Sequence, residues 1–406
     1  MFAKASSCVA AVALLVTQAA YAGGFVYVHA NAVRNTIIPY TKNDDGTLTR
    51  MAPVATGGKG TGQARPLHGN APGPDPLASA GSLILNRAQD RLFVVNGGDN
   101  SVSAFAIGKD GTPRLLDREP GQAGEVPNSL AFHDKTSTLY VGHLKGPGHI
   151  GLMKLDGDDL VVRKGTFSID SDEVKGKLLS HVMLSPDQGT LIANALVEPK
   201  PDGTGYQGTE KANLILFRIG ADGVPASTPR VADAGGAEPF SSVFLPGGNR
   251  FVTLLSETNG VALNELQGDG GVRNVSRVLI DASAVNGRPI EICWASLSPD
   301  GRYVYTANFG TGDITSLKVE GEKLTVAHRS IGEIAARTKF MAAAKVPSSA
   351  PLDSWSSKDG FLYQLYAANG QLAAYKMTAD GGLERIGLYE VPVNSVQGLA
   401  GLDPAI

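Results

Sequence analysis

Residues 292–319 read ICWASLSPDGRYVYTANFGTGDITSLKV, a pattern that repeats along the whole chain. A short apolar run ends in Ser-Pro-Asp-Gly. A second β-rich run, YVYTAN, follows, then a glycine-rich loop and a third strand. Asp-Gly supplies the positive φ angles of a tight hairpin at little steric cost. The β-rich anchor recurs seven times, beginning at Val26, Leu92, Leu139, Leu191, Phe251, Tyr303 and Leu362. Each anchor leads to a further strand and then a turn glycine: Gly46, Gly111, Gly157, Gly223, Gly270, Gly321 and Gly381. The offsets from anchor to glycine are 20, 19, 18, 32, 19, 18 and 19, so only the fourth unit carries an insertion.

Each unit therefore holds an inner strand, a turn, the anchor, a loop, a third strand, a turn and a fourth strand. Four-stranded antiparallel units arranged radially form a β-propeller, which leaves only short, protected edges. The first unit lacks an inner strand before GFVYVHA, and the C-terminal SVQGLAGL has no unit of its own. The pattern predicts an all-β, seven-bladed β-propeller over 23–406, with the C-terminal strand closing the ring. A sandwich would not repeat this regularly, and an open solenoid would not share a blade between its two ends.

Composition agrees. Hydrophobic residues make up 42 % of the 406 residues and charged residues 18 %, as in a globular chain. The 50 glycines suit many tight turns. Residues 1–22 read as a signal peptide: Lys4, the apolar run CVAAVALLV and a small-x-small site at Ala20 to Ala22. That places the mature protein in the periplasm or outside the cell. Removing this segment takes away only Lys4 and moves the net charge from −3 to −4. A mildly acidic surface speaks against nucleic acid as a partner. No other stretch approaches the length of a membrane span. Only Cys293 survives cleavage, so no internal disulfide is expected.

In a meander, the turns after the first and third strands share one face. The loops after the second strand and the crossovers between blades share the other. Every long excursion falls in the second set: the Gly/Pro-rich crossover 57–80, the insertion 197–211, and 328–350, whose IAARTKFMAAAK could form a short helix. Such loops suit a binding face at the channel mouth, or neutral drift at an exposed surface.

On that face lie the candidate residues. Glu257 follows the second strand of blade five, where blades two and six place Asn96 and Asn308. A carboxylate where sister blades carry amides suits proton transfer, or is an ordinary loop glutamate. His143 flanks the loop of blade three, with His149 beyond it. His181 begins the inner strand of blade four, and His68 lies in the first crossover. His133 sits in a turn on the opposite face. Cys293 opens the inner strand of blade six beside Trp294, either as core or facing the channel. No HxH, HExxH or CxxC spacing is present, and GGKGTG lacks the strand-to-helix setting of a phosphate loop, so no metal or other cofactor is expected.

The segments ICWASLSPDGRYVYTANFGTGDITSLKV, LFVVNGGDNSVSAFAI and PLDSWSSKDGFLYQLYAANGQLAAYKMTADGGLERIG resemble the seven-bladed lactonase family, which includes propeller-type 6-phosphogluconolactonases and carboxymuconate lactonizing enzymes. The resemblance spans nearly the whole mature chain. It implies a seven-bladed propeller and activity on a lactone. It places the family glutamate on Glu257, in LSET, and a family histidine near His181, one position out of register. The family's basic Arg-His pair falls on Phe240 and Ser241, which argues against a phosphorylated sugar. The expectation is an exported, monomeric lactonase-like hydrolase acting on a small molecule at the channel mouth. Glu257, His181 and His143 would be its catalytic groups, with His68, Asn96, Asn308 and Cys293 around the substrate. The alternatives are a non-catalytic binding propeller and a muconate-type cycloisomerase.

Overall fold

The computed structural model describes residues 23–170, 176–197 and 213–404. Seven antiparallel sheets form the ring, and six run in chain order from inner to outer strand. Blade three is Glu125–His133, Thr138–Lys145, Ile150–Asp156 and Asp159–Phe167. Blade five is Pro239–Phe244, Arg250–Leu255, Gly260–Leu266 and Val272–Leu279, and blade six opens with Ile292–Leu297 and Tyr303–Asn308. Second strands carry the core. Every residue of Tyr303–Asn308 and of Phe361–Tyr366 is buried, whereas the outermost Leu383–Glu390 is mostly solvated. Among the described residues the only helical turns are Pro66–His68 and Ser283–Val285, and no helix is long and apolar enough to cross a membrane.

The seventh interface closes as the repeat arithmetic requires. Leu399–Leu402 pairs with the first strand, Phe25 opposite Leu402 and Tyr27 opposite Ala400, and becomes the inner strand of blade one. Lys42 of that blade, fully buried, reaches Gly23 O at 2.9 Å and Asp359 of blade seven at 2.5 Å.

The turn glycines explain why the period is legible. In three of seven interfaces a tyrosine of one blade donates to the turn glycine of the next: Tyr27 to Gly111 O (2.9 Å), Tyr140 to Gly223 O (2.9 Å) and Tyr363 to Gly46 O (2.8 Å). Gly111 has φ +73° and its missing side chain faces Phe25, whose Cδ1 would stand 2.2 Å from a Cβ. Positive φ and a close aromatic neighbour select glycine independently.

One expectation falls differently. Residues 334–345 form no helix. His328 and Ile331 belong to the outer strand Lys323–Ile331, and the crossover beyond is tied down by its neighbours instead. Arg337 N donates to Asn369 Oδ1 (2.8 Å) and Ala343 N to Glu291 Oε2 (3.0 Å), bonds that compete with a helical ladder. The signal-peptide reading and nearly all of the 197–211 insertion lie outside the described residues.

Candidate functional site

The first crossover does not stay on the surface. Its end enters the channel and blocks it. Ser79 Oγ donates to Asn128 O of blade three (2.7 Å), and Ala80 N to Ser180 O of blade four (3.0 Å). Trp294 Nε1 of blade six and Gln397 Nε2, just before the closing strand, both donate to Ser79 O, at 2.9 and 2.8 Å. Four blades thus hold one short segment, with the Trp294 indole edge-on to Phe240 at 4.7 Å beneath it. The channel becomes two chambers.

The chamber on the elaborated face is a cleft of about 150 Å³. Glu257 lines it, just past the strand Arg250–Leu255, and so do His68, at the end of the turn Pro66–His68, and Cys293, the second residue of its inner strand. Glu257 and residues of the 57–80 crossover therefore share one face and one cavity. Three further carboxyl groups line the same cleft: Asp75, Glu238 and Glu291. Arg65 lies among them, with Phe240 and Phe309 as apolar walls.

Burial sets the electrostatics. Glu238, 8 % exposed, is pushed up to about 8 by desolvation and then by the Glu257 charge. Glu291 rises to about 7 by desolvation, assisted by Glu257 and opposed by the Ala343 N–H. Asp75 rises to about 7, again mainly by desolvation. One of its oxygens has no hydrogen-bond partner. His68 is held below the usual imidazole range by burial and by Arg65. The Cys293 thiol is pushed well up by burial and by the surrounding carboxyls, Glu291 first, so it stays protonated. At neutral pH the cleft thus combines protonated and ionised carboxyl groups, the arrangement that separates an acid from a base.

Sequence reasoning missed Arg65, Asp75, Glu238 and Glu291. Two of them leave a signal in the repeat. Glu238 and Glu291 each occupy the position just before an inner strand, in AEPFSS and IEICWA, and both sit at positive φ, 56° and 53°. Holding a residue with a Cβ there costs roughly 1–2 kcal/mol.

The remaining candidates are elsewhere. His181 lies beyond the plug, in the opposite chamber of about 340 Å³ with Asp353, because it is five residues into its inner strand and not at its mouth. Ser242 N donates to its Nδ1 (3.3 Å), and burial lowers its pKa to about 4. His143 ends up fully buried on the elaborated side but away from the cleft. A bulge after Gly142 turns it under the 121–124 crossover, where its Nδ1 meets Val141 O at 3.1 Å. Burial lowers it to about 4.

Asn96 and Asn308 do not reach the cleft either. Each pairs at the end of its second strand, the register place held in blade five by Leu255 and not by Glu257. Asn96 accepts from Asn35 (2.8 Å) and Thr56 (2.7 Å) and donates to Ser103 (2.9 Å); Asn308 donates to Asp313 (2.7 Å) and Thr315 (2.9 Å). Both are committed to joining strands. His149 Nε2 donates to Lys177 O at 2.9 Å, between blades three and four. Among the described residues no three His, Cys, Asp or Glu side chains come together in a way that could hold a metal ion.

No family model matches the chain, and no curated protein does. Solved structures do. A protein from Lactobacillus plantarum superposes with a TM-score of 0.68 at 17 % identity, covering 94 % of this chain and all of its own. A putative 6-phosphogluconolactonase from Bacteroides fragilis gives 0.64 at 18 %, over 95 % of this chain and 99 % of its own. A periplasmic gluconolactonase from Pseudomonas aeruginosa gives 0.64 at 17 %, over 93 % and 99 %. The fold is that of the 6-phosphogluconolactonase-like propellers. At these identities the likeness establishes architecture, and the chemistry has to be argued from the cleft.

Proposed function

We propose that this propeller is an exported hydrolase of lactones, working in the cleft between the plug and the elaborated face. The observation that carries the reading is the carboxyl pair Glu257 and Glu238, in which burial and the charge of Glu257 keep Glu238 protonated at neutral pH. Glu257 takes a proton from water as the water oxygen bonds to the lactone carbonyl carbon. The bond from that carbon to the ring oxygen breaks, and Glu238 gives its proton to the ring oxygen. The product acid ionises, one proton leaves to solvent, and proton transfer from Glu257 to Glu238 restores the starting state. Phe240 and Phe309 wall the cavity, and limiting its water strengthens each polar contact.

Two of the three structures named above bear lactonase names, and one of these is periplasmic. Together with the N-terminal segment they support the export reading. The test is a panel of five- and six-membered lactones with Glu257→Gln beside the parent. Turnover should fall about 100-fold or more with the fold unchanged, in line with a positioned acid–base group. Equal rates in the two proteins remove Glu257 from the chemistry, and no turnover of any lactone removes the hydrolase reading. Intact-mass analysis of exported protein should give a chain starting at Gly23; retention of Met1 refutes export by cleavage.

A further inference from the structure

Among the described residues the cleft holds four carboxyl groups and one guanidinium, and that guanidinium is uncommitted. Arg65 Nε donates to Ala71 O at a long 3.4 Å, and its two terminal nitrogens bond to none of the described residues. Asp75 and Glu291 act on it through space, but neither lies within ion-pair distance. A half-buried cation usually finds a carboxylate. Here three neighbouring carboxyls are held partly or largely protonated, and the arginine is left for something else.

Its position is also built. The guanidinium packs against Gly73, where a Cβ would stand 2.6 Å from Nε and 2.7 Å from Cζ. Gly73 is fixed in turn by its N–H to Gln63 O (3.0 Å). A Cβ at this position would push the guanidinium out of its place. His68, three residues on, lines the cleft beside it.

We infer that Arg65, laid on Gly73, is the anion anchor of the cleft: it receives the carbonyl oxygen of a lactone and then the carboxylate of the hydroxy acid formed from it. The inference rests on the hydrolase reading above. A planar guanidinium suits a planar carboxylate through two parallel hydrogen bonds. The carboxyl groups around it suit neutral hydroxyls. The substrate class is therefore the lactone of a polyhydroxylated acid with no other anionic group. A phosphate on the far end would meet the carboxyl groups of Glu238, Glu257 and Glu291.

The experiment has a binding arm and a turnover arm. Gluconate, 6-phosphogluconate and the uncharged polyol sorbitol are titrated calorimetrically into the parent, Arg65→Gln, Arg65→Lys and Gly73→Ala, with melting curves as the folding control. The parent should bind gluconate at least about 10-fold more tightly than 6-phosphogluconate, and Arg65→Gln should lose about 10-fold or more of the gluconate affinity, as expected for a charge-assisted pair. Gly73→Ala keeps the arginine and displaces it, so it should lose gluconate affinity as well. Arg65→Lys should recover only part, and sorbitol affinity should move little. In turnover, Arg65→Gln should lower kcat for glucono-1,5-lactone and weaken inhibition by gluconate. Arg65-dependent gluconate binding without hydrolysis of any lactone keeps the anchor and refutes the hydrolase. Hydrolysis unchanged in Arg65→Gln refutes the anchor and keeps the hydrolase. A parent that binds no gluconate, or that prefers 6-phosphogluconate, also overturns the anchor.

Discussion

Replacing Glu238 by glutamine isolates the electrostatic strain of the cleft. The folded carboxyl titrates at about 8 against an ordinary value of 4.5. The folded protein therefore holds a proton that the unfolded chain has already released. Stability from this group is complete below pH 4.5 and is lost as pH rises towards 8 and beyond. Each unit of separation is about 1.4 kcal/mol, so this one group withdraws on the order of 3–5 kcal/mol between pH 5 and pH 9. Glu291 and Asp75, both near 7, act in the same direction but finish earlier. The window from pH 7 to 8.5 thus belongs mainly to Glu238. Glutamine keeps the shape and the acceptor for Val197 N, 3.4 Å away, but carries no proton to lose. The unfolding free energies of the two proteins, from denaturant titrations at pH 5.5, 7 and 8.5, should diverge in favour of the variant as pH rises. In a Glu257→Gln background the divergence should shrink, since the Glu257 charge is one of the two causes of the shift. Parallel pH profiles for parent and Glu238→Gln would refute the buried, protonated carboxyl and with it the acid–base division of the cleft.

Three shorter expectations test the frame around that cleft. Gly111→Ala combines a φ of +73° with a Cβ 2.2 Å from Phe25, and should cost about 2–4 kcal/mol in denaturant unfolding, whereas alanine at Gly157, also at positive φ but with open space around it, should cost about 1 kcal/mol. Cys293, 5 % exposed with its thiol pushed well up, should resist maleimide at pH 7.5 in the native state and react fully in denaturant; rapid native labelling would show an open channel floor. Removing residues 396–406 takes away the inner strand of blade one and the Gln397 and Gly398 bonds to Ser79 and Asp353, and should prevent a cooperative melt; an unchanged Tm would mean the ring does not depend on its closure.

The ring was legible because its signal is redundant. Gly46 and Gly111 are chosen twice over, by φ and by a neighbouring aromatic ring, so the Asp-Gly period survives wherever the blades touch. Polar residues at strand ends carry no such redundancy. Asn96, Asn308 and His143 look the same in sequence whether they face a ligand or bind the next strand, and the structure commits all three to backbone and side chains of the scaffold. Glu238 and Glu291 were open to repeat alignment, since two blades place a glutamate at one position and the others do not. The end of the second strand, one strand later in each blade, singles out Glu257 alone.

What no pattern carries is the path of the first crossover. Residues 57–80 have neither period 2 nor period 3.6, and their glycines and prolines read equally well as a surface loop. Their destination is fixed by donors and acceptors on four separate blades, chiefly the two bonds that converge on Ser79 O. Yet this segment decides the chemistry available. It divides the channel, sends His181 to the far chamber, and brings Arg65, His68 and Asp75 against carboxyls from blades five and six. The same ring with its crossover on the surface would present an open pore with Glu257 at its rim. Substitutions at Ser79 leave its carbonyl in place, so the plug is best loosened from the other side, at Gln397: alanine there removes one of the two bonds to Ser79 O. If the plug creates the cleft, Gln397→Ala should weaken ligand binding without touching any residue that faces the ligand, and hydrogen exchange should rise first at residues 77–80. Unaltered exchange there, with binding intact, would mean the crossover is held by the remaining blades alone.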